Sequence, residues 1–280
     1  MRDAPLTRIS PDDVAAFERD GAVCLRAAFD TGWLEKLARG IERNLSEPSP
    51  YGESLRAGEE QGAFFNDYCN WRRLPEFEAF VFQSPAAQLA ARLMGSRTAV
   101  FYHEHVLVKE PGAVKRTPWH HDQPYYPVDG RQVCSFWLPL DPVPLESSLR
   151  FVRGSHNWGR WYMPRKFRTS ANYALRDSSA EPQEPFDTVP DIDAHPEEYE
   201  ILSWEMEPGD CIAFHMLALH GALGNTSLTT SRRVFATRWL GDDARFAERP
   251  WDISPPITGG LRPGDPMACE EFPLVWKAEG

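Results

Sequence analysis

Apolar residues along the first hundred positions recur mostly at helical spacing. Ser10-Pro11-Asp12-Asp13 reads as a helix start. The serine caps, the proline suits the first turn, and the two carboxylates face the positive helix end. Val14 and Phe17 continue that turn and Gly21 stops it. Ala22 to Leu25 reads as a short strand. Trp33, Leu34, Leu37, Ile41 and Leu45 repeat every three or four residues, the mark of a second helix. Ser84-Pro85 opens another through Leu89, Leu93 and Met94, ended by Gly95. The stretch around 47–71 is looser. From residue 98 the pattern shortens. Segments 99–109, 132–140, 149–152, 199–206, 210–215 and 232–240 are rich in β-branched and aromatic residues. Turns such as Glu110-Pro111-Gly112 and Glu207-Pro208-Gly209-Asp210 separate them. Many short antiparallel strands with such turns predict a jelly roll, with the N-terminal helices covering one sheet. The expected class is α+β, mainly β. No linker or repeat divides the chain, so one domain is expected over 1–280. Its helical part covers about 1–97, its jelly-roll core about 98–246 and its tail about 247–280.

Composition narrows the partners. The 280 residues are 42% hydrophobic and 12% aromatic, enough for a full core. Asp and Glu number 41 against 30 Lys and Arg, a net charge of −11. With no basic patch to offset it, nucleic acid and anionic membrane surfaces are excluded as expected partners. No apolar run approaches the ~18 residues of a membrane span, and the chain opens without the apolar core of a secretory leader. Five scattered cysteines, with no Cys-x-x-Cys pair, argue against a thiolate zinc site or a disulfide framework. They read as small buried hydrophobes in a reducing cytoplasm. Residues 177–200 hold nine Asp or Glu, four Pro and no Lys or Arg. Such a stretch is either a solvated insertion loop or a lid over a site.

The densest polar cluster is Thr117-Pro118-Trp119-His120-His121-Asp122-Gln123-Pro124-Tyr125-Tyr126. In an extended segment His120 and Asp122 project to one face and His121 to the other. An imidazole and a carboxylate on one face are two-thirds of a facial metal triad. The third ligand must come from a distant strand, and the run Cys211 to Gly221 offers His215 or His220. His215 lies mid-strand in apolar surroundings. His220 lies where that run gives way to a turn, the better place to face a pocket, and is favoured. Arg232 and Arg233 follow by 12 and 13 residues and open an apolar strand. One of the two would face inward, able to bind a carboxylate with both arms of its fork.

Together these motifs resemble the phytanoyl-CoA dioxygenase family. The resemblance lies in Val108-Lys109-Glu110-Pro111-Gly112, the Thr117–Tyr125 cluster, Arg153-Gly154-Ser155-His156, Leu219-His220-Gly221, and Arg232-Arg233-Val234 leading to Arg238-Trp239-Leu240-Gly241-Asp242-Asp243. It runs from about residue 10 to 246. It implies a double-stranded β-helix, a jelly-roll variant, with Fe(II), 2-oxoglutarate and O₂ as cofactor and cosubstrates. It implies His120, Asp122 and His220 as iron ligands. Arg232 matches the arginine that pairs with the distal carboxylate of 2-oxoglutarate, with Arg233 one register step away. Trp137 and His105 match positions beside the cosubstrate. Two departures stand out: His121 where Gln is common, and Ala222 where a hydroxyl residue often sits. The retained Asp122 carboxylate favours hydroxylation, or another oxidation, over halogenation.

The substrate expected is a small organic molecule. Gln123, Tyr125, Tyr126, Trp161, Tyr162 and Arg238 are candidate pocket residues. Arg238 shares strand parity with Arg232 and would meet an anionic group. The acidic stretch 177–200 argues against a substrate as anionic as an acyl-CoA. Two other readings remain at this point: a cupin-like metal enzyme that uses no 2-oxoglutarate, and a non-catalytic small-molecule-binding barrel. Oligomeric state is not legible.

Overall fold

Helix α1 (Pro11–Asp20) begins at the expected cap in a computed structural model describing residues 9–58, 61–177 and 186–279. The Ser10 hydroxyl accepts from the Asp13 amide at 3.1 Å, and the Asp13 carboxylate accepts from the Ser10 amide at 2.7 Å. Two of the helix's orphan donors are thus satisfied reciprocally. Gly21 ends it at φ +82°, where a Cβ would sit 2.4 Å from the His156 ring. Helices α2 (Thr31–Ser46), α3 (Pro75–Gln83) and α4 (Ala86–Leu93) follow. Helix α4 is the one opened by Ser84-Pro85, while α3 has no counterpart among the expected elements. Residues 1–8, where the missing-leader expectation falls, lie outside the described residues, as do 178–185 of the acidic stretch.

Strands dominate the rest. The large sheet runs in the order Ala22–Leu25, Cys211–His215, Val133–Pro139, Arg232–Leu240, Thr98–Lys109, Phe64–Tyr68 and Glu53–Leu55. Leu274–Lys277 pairs with the end of the 98–109 strand. The smaller sheet is Ile201–Leu202, Leu149–Val152, His220–Ala222 and Thr117–His120. The fold is mainly β with few helices. The looser stretch 47–71 supplies the last two strands of the large sheet, of which Glu53–Leu55 is the edge, and the tail supplies another strand plus the buried Trp251 and Phe272. The strand expected over 199–206 is cut to two residues. After Leu202 the Ser203 hydroxyl, not a backbone amide, donates to the Leu149 carbonyl at 2.8 Å.

Each central strand divides its side chains between two cores. Phe136, Leu138, Phe235 and Trp239 face the helices, while Trp137, Val234 and Ala236 face the smaller sheet. A bulge in the 98–109 strand resets this alternation. Arg238 pairs with His103 but Trp239 pairs with Phe101, leaving Tyr102 unopposed. Beyond the bulge His103 and His105 turn to the side of the large sheet that carries the cavity.

The helical layer rests on few anchors. The fully buried Phe235 ring meets Phe77 at 4.6 Å and Phe80 at 5.3 Å between centroids. Phe235→Ala is expected to cost about 3–5 kcal/mol, the usual range for emptying a large aromatic site, read as a lowered urea midpoint.

Candidate metal centre

The strand 117–120 ends at His120, and the chain then turns. Asp122 has helical dihedrals (φ −74°, ψ −45°) and leads into a short 3₁₀ turn at Gln123–Tyr125. The extended-segment argument for Asp122 therefore fails in its detail. What aims the carboxylate is a tether: the Asp122 and Gln123 amides both donate to the Met216 carbonyl, at 2.8 and 3.0 Å. Met216 follows directly on the 211–215 strand. The strand expected over 210–215 is present as Cys211–His215, and the apolar run continues past it. The chain leaves the large sheet after His215 and enters the small one at His220, which lies directly opposite His120 in register.

His120, Asp122 and His220 come together from these elements, their ligand atoms within 4.8 Å of one another. Asp122 Oδ1 is 3.5 Å from His120 Nε2 and 3.8 Å from His220 Nε2. Each imidazole donates from Nδ1 to a backbone carbonyl, His120 to Pro118 at 2.8 Å and His220 to Ala218 at 2.9 Å. A carbonyl can only accept, so the proton is fixed on Nδ1 and the Nε2 lone pairs face the carboxylate. Burial lowers the His220 pKa to about 3, with His120 adding to the effect. Burial alone would raise Asp122. The Arg238 guanidinium outweighs it and holds the carboxyl well below its usual range. Two neutral imidazoles and one carboxylate are the donor set a divalent first-row metal takes as a facial triad.

His215 and His121 stand apart. His215 lies at the end of its strand, not within it, and its Nε2 donates to the Arg131 carbonyl at 2.9 Å while Nδ1 accepts from the Leu217 amide at 3.0 Å. His121 points away and packs on Tyr162 at 4.9 Å, with neither ring nitrogen bonded.

Arg232 and Arg233 differ sharply. Arg233 is clasped by Asp141 through Nε at 3.0 Å and Nη2 at 2.7 Å. Arg232 is 6% exposed, its Nη1 donates to the Ser147 carbonyl, and its Nε has no partner. No carboxylate among the described residues pairs with it, and burial alone lowers its pKa to about 10. It lies over the Trp137 ring at 5.7 Å. Arg232, Trp137 and His105 all line the same cavity as the triad, which measures about 190 Å³. An unpaired buried cation beside a triad of metal-ligand type fits a bound dianion. His105 is held there by Asn66 at 3.4 Å and by the edge-on Tyr68 ring.

The other expected pocket residues divide. Tyr125, Tyr126 and Arg238 line the cavity. Gln123 does not: its amide donates to the Val128 and Gly130 carbonyls and so shapes the turn. Trp161 carries the Arg249 guanidinium at 5.0 Å, and Tyr162 packs on His121. Arg238 has the expected parity, but its partner is Asp122, at 3.1 Å, not a site left open for an anion. The acidic segment is also less repulsive than its composition suggests, since Asp193 pairs with Arg150 at 2.8 Å and Asp187 with Arg160 at 3.1 Å. The rim is formed by residues the sequence did not single out: Tyr51, Tyr68, Phe167, Tyr173 and Ser254. The Tyr51 and Tyr68 rings stack at 4.9 Å. Their one sequence signal is aromatic residues in otherwise turn-like segments.

Comparison with known proteins decides the family. A family model for phytanoyl-CoA dioxygenase (PhyH) matches residues 17–234. The chain belongs to the phytanoyl-CoA dioxygenase family. Among curated proteins, the ectoine dioxygenase of Sphingopyxis alaskensis is 27% identical over 289 residues, covering 98% of this chain and 89% of the relative. Among solved structures, the non-heme alpha ketoglutarate dependent carbocyclase SnoK from nogalamycin biosynthesis superposes with a TM-score of 0.70 at 24% identity, over 95% of this chain and 96% of that one. EctD from S. alaskensis, solved with 2-oxoglutarate and 5-hydroxyectoine, gives 0.64 at 19% identity, over 98% and 90%. The protein is accordingly an Fe(II)/2-oxoglutarate-dependent dioxygenase, and the two readings left open by sequence fall away.

Buried histidines make the fold sensitive to acid. His103, His105, His121, His215 and His220 all titrate far below 6.5, with burial the largest cause in each. Unfolded imidazoles take up protons near 6.5; these do not. The unfolded chain therefore binds more protons below that point, and stability is lost as pH falls. Between pH 7 and 5.5 the metal-free protein is expected to lose at least about 2 kcal/mol of unfolding free energy by urea titration.

Proposed function

We propose that His120, Asp122 and His220 hold Fe(II), and that Arg232 binds the distal carboxylate of 2-oxoglutarate, with Trp137 and His105 walling the cosubstrate. The observation that carries this reading is the unpaired Arg232 guanidinium in the same cavity as three convergent donors. With O₂, the iron and keto acid supply the oxidising chemistry of the class, yielding succinate and CO₂ while a small organic substrate is hydroxylated or otherwise oxidised. The chain's own groups do the positioning. Pro118 and Ala218 carbonyls keep the imidazole protons on Nδ1, Arg232 anchors the far end of the keto acid, and the cavity walls exclude water. We read the two facing sheets as a double-stranded β-helix, and residues 1–280 as one oxygenase domain.

The substrate reading rests on the rim. Its polar groups are already engaged: Glu53 pairs with Arg168 at 2.5 Å, and the Arg165 Nε donates to the Ser170 carbonyl at 2.9 Å. Tyrosines and a phenylalanine from four chain segments make up the rest, which suits a ring-bearing molecule without strong net charge. Among the described residues no helix is long and apolar enough to cross a membrane. All five cysteines are unpaired, three of them only half-buried, in keeping with a reducing cytoplasm.

Alanine at His120, Asp122 or His220 is expected to abolish iron-dependent succinate formation, whereas His215→Ala keeps iron binding and loses stability. Iron binding lost in His215→Ala and kept in His220→Ala would overturn the ligand set. Arg232→Ala should raise the 2-oxoglutarate requirement by at least ~100-fold and more than Arg233→Ala does, measured by titrating the keto acid into the anaerobic Fe(II) protein.

A further inference from the structure

Asp122 uses its two oxygens differently. Oδ1 faces the two imidazole nitrogens. Oδ2 is turned away and accepts from the Ser135 hydroxyl at 2.8 Å, with the Arg238 Nε at 3.1 Å. Ser135 and Arg238 are direct cross-strand partners on the 133–139 and 232–240 strands, so their side chains leave the same face side by side. Both are buried, Ser135 fully and Arg238 to 5% exposure. The same Arg238 Nε–H also lies 3.2 Å from the Tyr126 hydroxyl, so one N–H is shared between the carboxylate and the phenol. Ser135 is a buried polar residue within Val133-Cys134-Ser135-Phe136-Trp137, and Arg238 a buried charge within Val234-Phe235-Ala236-Thr237-Arg238, on strands otherwise largely given to packing.

A carboxylate with both oxygens free can bind a cation through either one or two of them. The difference matters on a six-coordinate metal. Two imidazoles and one oxygen leave three positions, two for a chelating keto acid and one for a diatomic gas. A second Asp122 oxygen would take the last. We propose that Ser135 and Arg238 are positioning residues that hold Asp122 to one-oxygen binding and thereby keep the gas position open. The proposal rests on the metal-centre reading above and adds to it a role for two residues that touch neither metal nor cosubstrate.

The test uses full-length protein, anaerobic, with Fe(II) and 2-oxoglutarate, and nitric oxide as the gas probe. Visible charge-transfer absorption reports keto-acid chelation, and the iron–nitrosyl electron-spin signal reports the open position. In Arg238→Met the nitric oxide affinity is expected to fall about 10-fold, the weight of one hydrogen bond to a charged group. In Ser135→Ala, which removes only a hydroxyl and keeps the fold within reach should the arginine variant not fold, it should fall about 3-fold. Iron affinity should stay within about 3-fold of wild type or rise, a pattern that general damage to the site would not give. Arg238→Lys, which restores a cationic donor, should recover part of the loss. Wild-type nitric oxide affinity in both Ser135→Ala and Arg238→Met overturns the proposal, as does loss of iron in step with loss of nitric oxide. A wild-type protein that shows no charge-transfer band overturns the metal-centre reading itself, and this proposal with it.

Discussion

Two amides on one carbonyl decide whether this protein has a site at all. The Met216 carbonyl accepts from Asp122 and Gln123, and that junction stitches the His-x-Asp turn to the strand leaving the large sheet. Four residues after Met216 the chain re-enters the small sheet at His220, opposite His120. Side chains separated by about a hundred residues are thereby brought within a few ångströms. Burial disfavours a charged imidazole here, most clearly at His220, which faces the His120 ring. The two rings lie 4.2 Å apart, a separation at which two imidazolium ions would repel strongly in a low-dielectric interior.

The large sheet separates support from chemistry. One face is filled by the aromatic contact with α2, α3 and α4, so the strands have a packed backing that resists movement. The other face carries Ser135, Trp137, Arg232 and Arg238 at alternating positions of two neighbouring strands. The bulge at Tyr102 brings a third strand into the arrangement, because without the extra residue His103 and His105 would share the face of Phe101 and point at the helices. A functional group on such a strand is placed by the ladder, to within the tolerance of the ladder.

Much of this was legible because it is periodic or paired by chemistry. The cap at Ser10, the helix over Trp33 to Leu45 and the strands 98–109, 133–139 and 232–240 follow from spacing alone. The same rule required only that one of Arg232 and Arg233 face inward; the family resemblance pointed to Arg232, and Asp141 explains why Arg233 is not its equivalent. What was not legible depends on backbone events that spacing cannot register. The turn at Asp122, the break between His215 and His220, and the shortened strand at Leu202 are each set by a hydrogen bond from a distant segment. The Arg238–Asp122 pair belongs to the same group: parity put the arginine on the right face, but only the folded turn shows which anion it meets. The rim tyrosines lie in segments whose local pattern is irregular, so their convergence is purely tertiary.

That ion pair alters the charge logic of the centre. A lone Asp122 carboxylate would cancel one charge of a divalent metal, but Arg238 already neutralises it. The protein's own charged groups in the cavity include the Asp122–Arg238 pair and the Arg232 cation, which has no carboxylate partner among the described residues. A metal ion added alone would raise that positive charge with no new anion to meet it. A dianionic keto acid added alone would find Arg232 at one end and only neutral imidazoles and a paired carboxylate at the other. On the ligand set and arginine role proposed above, each would therefore bind better once the other is present, the cosubstrate as much as the aspartate offsetting the charge of a divalent ion in so buried a place.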